Sequence, residues 1–146
     1  MYEKAKEDDL DIVISNIILD FKDNQYKNYK IKDLDISETK IINGKEYIEP
    51  FFLNNFYGFT WNKLIRKKLY VENNLLYNED IFCFEDVEMI IRLAYFAKKK
   101  YKLEKTYYNY LQGDDKRSRK LTLKNLEDKK TCFDKLLEYY NKKMKL

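Results

Sequence analysis

The sequence contains no histidine, and its 146 residues include only three glycines, one proline, two cysteines and one tryptophan. Each shortage excludes something. Without histidine there is no Ser-His or Cys-His nucleophile and none of the commonest zinc sites, so acid and base work falls to carboxylates, lysines or tyrosines. Three glycines leave no glycine-rich loop to cradle a phosphate. Cys83 and Cys132 make neither a CxxC pair nor a metal-ligand spacing and read as reduced, structural residues. No apolar run approaches the ~20 residues needed to cross a bilayer, and Met1-Tyr2-Glu3-Lys4 carries no hydrophobic signal core. A soluble cytoplasmic protein is the simplest expectation.

What is present argues for one folded domain over residues 1–146. A chain of this length buries a core but is short for two ordinary domains. Hydrophobic residues at 45%, with 16% aromatic, supply the apolar surface that offsets ordering entropy. The formal charge of +4 is almost wholly lysine, spread along the chain beside nearly as many acids. No basic stripe stands out, so nucleic acid is not an expected partner. Lysine, asparagine, isoleucine and tyrosine abound together, a bias that AT-rich coding produces by itself, so the fourteen tyrosines are no functional clue.

The periodicity predicts an α/β order. Met1 to Asp8 reads as the last turns of a helix. Leu10 to Leu19 is β-branched and apolar with little alternation, the pattern of a strand covered on both faces. Residues 26–36 alternate loosely, as an edge strand does. Gly44 to Asn54 reads as a short helix in which Pro50 limits regularity. Trp61 to Glu72 sets Trp61, Leu64, Ile65, Leu69 and Tyr70 at helical spacings with basic residues between them, predicting a basic amphipathic helix. Asp86 to Lys98 reads as a helix with acids at its start. Lys100 to Glu104 and Thr106 to Tyr110 read as two short strands, and residues 112–120 as a polar loop. A last helix from Leu123 to Lys142 is expected to pack Leu126, Phe133, Leu136, Leu137 and Tyr140.

The run Trp61-Asn62-Lys63-Leu64-Ile65-Arg66-Lys67-Lys68-Leu69, followed by Phe84-Glu85-Asp86-Val87-Glu88 at a helix start, resembles the C-terminal part of bacterial family-2 glycosyltransferases with the GT-A fold. There a W-x-K-L-x-R-x-x-L stretch precedes an aromatic-E-D-x-E helix start. Met1 to Val13 resembles the helix and strand just after the family's metal-binding strand. Tyr107-Tyr108-Asn109-Tyr110 and the loop with Arg117-Ser118 resemble its terminal strand and Y-x-x-R…S lid. The resemblance covers residues 1–120, with 121–146 a C-terminal helix.

The resemblance implies a partial GT-A domain and a mechanism. Inverting members use a carboxylate to take the proton of the acceptor hydroxyl as it attacks the sugar's anomeric carbon, a role it gives to Asp86, with Glu85 tuning the proton affinity. The bland alternative is a helix cap, since Asp is a common N-cap residue. Trp61 stacks on a sugar ring or anchors the core. Lys63 and Arg66 approach the diphosphate or form a solvated basic face. Arg117, Ser118 and Arg119 close over the diphosphate or form an ordinary surface loop.

The implied partners are a nucleotide sugar and a saccharide or lipid-linked acceptor in surface polysaccharide synthesis, with Mn or Mg held by a D-x-D. That motif lies in a nucleotide-binding half expected upstream of Met1. The pairs Asp9/Asp11 and Asp33/Asp35 have its spacing, but neither stands at a strand's exit, and both read as decoys. The chain alone is therefore expected to be inactive, or to be a non-catalytic carbohydrate- or protein-binding module. Homo-oligomerisation through an exposed sheet edge, or pairing with the upstream half, is the expected way to cover that edge. The basic 61–68 segment offers a peripheral contact with the inner face of the membrane.

Overall fold

In a computed structural model, residues 1–21, 29–31, 58–112 and 122–143 are described. The expected helix at 44–54, the Asp33/Asp35 pair and the loop with Arg117, Ser118 and Arg119 lie outside them. The chain is α/β, as its periodicity predicts. A short helix α1 (Tyr2–Glu7) leads into β1 (Ile12–Phe21), the centre of a four-stranded sheet. β4 (Lys100–Gln112) runs parallel along its whole length. The other edge of β1 is shared. β3 (Lys63–Ile65) pairs antiparallel with Ile12–Ile14, and β2 (Tyr29–Ile31) pairs antiparallel with Ile17–Leu19.

β1 is central because its residues can only be buried. Ile12, Val13, Ile14 and Ile17 are 0–1% exposed, and burying such side chains contributes ~1.5–3 kcal/mol each. One face of β1 packs Ile12 and Ile14 against Met89, Ile90, Leu93 and Ala94 of α3 (Glu85–Phe96), with Leu69 of α2 (Lys67–Glu72) at the margin. A second cluster, Ile81, Ile91, Cys132 and Leu136, joins α3 to α4 (Leu123–Lys143).

Three expectations are corrected. The segment 61–72 is not one helix. Thr60 to Lys63 is a turn closed by the Lys63 N–H donating to Thr60 C=O at 3.0 Å, then comes β3, and only Lys67–Glu72 is helical. Tertiary pairing overrides local spacing here. Asn62 is 1% exposed and donates from Nδ2 to Ser15 C=O at 2.9 Å, while the Ser15 N–H and Oγ–H donate to Asn62 C=O at 3.0 and 3.2 Å. These bonds lock the segment to the sheet. The amphipathic helix proposed for a membrane contact is thereby lost.

The two strands expected at 100–110 are one. Ser15 faces Leu103 but Asn16 faces Thr106, so Glu104 and Lys105 bulge out of the ladder, and Asn16 Nδ2 reaches Glu104 C=O at 2.9 Å. Finally, α4 packs Phe133, Leu136 and Tyr140 as expected but leaves Leu126 and Leu137 outside the core. Leu126 and Leu137 are 48% and 63% exposed, while Asp128, Cys132 and Leu136 turn inward. Asp128 bonds there to the loop before α3.

Candidate active site

The loop from Asn74 to Phe84 enters α3 through a strained step. Phe84, the N-cap, has φ 71° and ψ 9°, a left-handed conformation uncommon for a bulky residue. It persists because its surroundings hold it. Asp128 Oδ2 accepts from the Phe82 and Cys83 N–H groups at 3.1 and 3.0 Å, and the Cys132 thiol donates to Phe84 C=O at 3.7 Å. The bonds to Lys124 and to these two amides hold the Asp128 carboxyl below the usual range. Phe84 itself makes no side-chain cap, and the first turn carries Glu85, Asp86 and Glu88, acids that complement the helix dipole.

Asp86 therefore stands inside the first turn and is not the cap. Its carboxylate faces the chain segment leading into β3. Thr60 Oγ–H donates to Asp86 Oδ1 at 2.6 Å, and the Thr60 N–H donates to Oδ2 at 3.3 Å. Gly58 permits this approach, since a Cβ there would meet Val87 Cγ2 at 2.7 Å. The loop supplies Tyr77, whose phenol lies close enough to Thr60 and Asp86 to feel both. Burial raises the Tyr77 phenol, with Thr60 partly offsetting the rise and Asp86 and Glu85 adding to it. Burial, with Tyr77 and Asp86 nearby, pushes Tyr70 up to about 12. Both phenols stay protonated donors at neutral pH. Glu85 is half-buried, and burial together with the charges of Asp86 and Asp128 raises its carboxyl.

The remaining expected site residues separate. Trp61 leaves the other side of the Thr60 turn and packs against Phe59 at 4.6 Å, Tyr108 at 4.5 Å and Tyr110 at 5.0 Å between ring centroids. Lys63 folds back over the turn, its Nζ donating to Phe59 C=O at 2.6 Å and Asn62 Oδ1 at 2.8 Å. Arg66 follows β3 at the end away from Thr60, donating to Leu10 C=O and to Asp9 Oδ1 at 2.6 Å. The structure thus brings Glu85 to Asp86 but not Arg66.

Of the Asp9/Asp11 pair, Asp9 is paired with Arg66, and Asp11 Oδ2 accepts from the Lys98 and Lys99 N–H groups at 2.8 and 3.2 Å. Among the described residues no group of three or more acidic or thiol side chains is placed to hold a metal ion. Nor is any described helix long and apolar enough to cross a membrane.

Sequence reasoning missed Thr60, Tyr70 and Tyr77. Thr60 sits one place before the recognised tryptophan and carries no motif of its own. The tyrosines were hidden in a composition rich in them.

No family model matches the chain. Over 106 residues it is 30% identical to the "Putative glycosyltransferase EpsH" of Bacillus subtilis (strain 168), a match covering 70% of this chain. The match spans 30% of that protein's length, so the likeness to a glycosyltransferase concerns a part of it.

Proposed function

We propose that the chain is the acceptor-side half of an inverting, sugar-nucleotide-dependent glycosyltransferase of family 2 with the GT-A fold, and that Asp86 is its general base. The acceptor oxygen bonds to the anomeric carbon, the bond from that carbon to the diphosphate breaks, and the acceptor's proton passes to Asp86. The observation that carries the reading is the setting of Asp86. Its donors include the Thr60 hydroxyl and amide, and among the described residues it is neither a helix cap nor half of an ion pair. A carboxylate has about four lone-pair sites, so room remains for an acceptor hydroxyl. The similarity to a glycosyltransferase supports the reaction class.

The other roles follow with less contact to Asp86. Glu85, its carboxyl raised by burial and by the neighbouring charges, stands beside the base. Trp61 backs the tyrosines of β4, Lys63 and Arg66 stiffen the two ends of β3, and Arg117 and Ser118 close on the diphosphate. Nucleotide and divalent metal belong to carboxylates outside this segment, and the acceptor is a saccharide or lipid-linked saccharide of surface polysaccharide synthesis. Turnover of uridine, guanosine and thymidine diphosphosugars with manganese, by the chain and by a form extended upstream in its reading frame, tests this. Activity in the extended form supports it, and none in either form refutes it.

One observation favours a second reading, a non-catalytic carbohydrate-binding module. Tyr110, stacked on Trp61, and Tyr108, tilted against it, remain 36% and 37% exposed and present an aromatic surface with polar tips. Trp61 is the only tryptophan, so its fluorescence reports saccharide binding there. Binding that persists in Asp86→Asn, with no turnover in any form, selects this reading.

A further inference from the structure

We infer that Thr60 is the positioning residue of the proposed base, holding the Asp86 carboxylate in one rotation through a bond to each of its oxygens; this rests on Asp86 acting as that base. The terminal torsion of an aspartate is soft, with broad, roughly two-fold wells, so an unheld carboxylate spreads its lone pairs over a range of directions. Thr60 removes that freedom. Its hydroxyl takes Oδ1 at 2.6 Å, within the short range of bonds to an ionised acceptor, and its N–H takes Oδ2 at 3.3 Å. Two donors from one residue, one on each oxygen, define the carboxylate plane.

Thr60 is in turn fixed from both sides. Gly58 lets the backbone lie against the first turn of α3, with no room for a Cβ over Val87. The Lys63 N–H donates to Thr60 C=O, and Asn62 is tied to Ser15 of β1, so the turn's far side belongs to the sheet. The β-branched side chain limits χ1 and so aims the hydroxyl. The central strand thereby reaches the carboxylate through the chain Ser15, Asn62, Thr60, Asp86. Misplacing a reacting group by about 1 Å costs on the order of 10²-fold in rate, which sets the scale of what such a device protects.

A purely structural staple between the turn and the helix has the same bonds but a different signature. The test is turnover by the upstream-extended protein carrying Thr60→Val or Thr60→Ser, each with Asp86 intact and with Asp86→Asn, the unfolding temperature being followed in all forms. Thr60→Val should lower kcat about 10- to 100-fold while KM for the sugar nucleotide holds. Thr60→Ser, which keeps both donors, should stay within a few-fold of the parent. In the Asp86→Asn background Thr60→Val should remove nothing further, since a positioning residue has no effect without the group it positions. Turnover that needs Asp86 but ignores Thr60→Val, or equal losses in both backgrounds, overturns the positioning role alone. Turnover that survives Asp86→Asn, or is absent from every form, overturns the base itself and this inference with it.

Discussion

A Cβ on Gly58 would lie 2.7 Å from Val87 Cγ2 and 3.1 Å from Val87 Cα, which makes this glycine the contact point between the segment bearing Thr60 and the helix bearing Asp86. The valine methyl can rotate aside, but its backbone cannot. Gly58→Ala should therefore push the two elements apart, destabilising the chain by about 1–3 kcal/mol, as overpacking does. It should also weaken the Thr60 bonds to Asp86. Urea unfolding of the variant against the parent checks the first effect, and an unchanged midpoint contradicts the close approach.

Asp128 ties α4 to the loop that enters α3. Asp128→Ala leaves the amides of Phe82 and Cys83 without their acceptor and should lower stability, read as a reduced urea midpoint. Because the carboxyl is held below its ordinary value, its contribution is present above the unfolded-state pKa and is lost as pH falls through the lower folded-state value. Acid unfolding should thus begin at higher pH in Asp128→Ala than in the parent, read by circular dichroism. Coincident acid transitions would show that the carboxylate does not anchor the loop.

Cys132 and Tyr70 predict the alkaline limit. Burial raises the Cys132 thiol from 9.0 to about 11 and the Tyr70 phenol from 10.0 to about 12. Raised groups of this kind contribute fully below their ordinary pKa and lose that contribution as pH rises through the folded-state value. Stability should hold to about pH 9 and decline between roughly 9 and 12. Cys83 is half-buried and Cys132 fully buried, so iodoacetamide should label Cys83 well before Cys132 in the native chain. Equal labelling, measured by peptide mass spectrometry, contradicts the packing of α4 against α3.

The sequence showed most of what one residue's neighbours decide. The unbroken β-branched run after Leu10 and the acid-led period after Glu85 fix β1 and α3 because burial and helix amphipathicity leave periodic marks. The segment 61–65 was misread because its strand is made by Asn62 bonding to Ser15, 47 positions away, and no local spacing records such a bond. The same holds for Asp86. Its place at a helix start was legible, but its partner Thr60 lies 26 residues upstream and is joined to it only by the fold. Most of the packed face of α4 was legible in Phe133, Leu136 and Tyr140, whereas the burial of Asp128 in place of Leu126 and Leu137 was not, since its acceptor role toward Phe82 and Cys83 is made only by the fold.

The most direct test of the account is the rate of sugar transfer by the upstream-extended protein with Asp86→Asn, a near-isosteric change that removes the base while leaving an acceptor oxygen for Thr60. The account predicts a fall in kcat of at least about 10²-fold with the unfolding temperature and the nucleotide-sugar KM little changed. Transfer at the parental rate would contradict it, and would leave Asp86 as a residue that only fastens the Thr60 turn to α3.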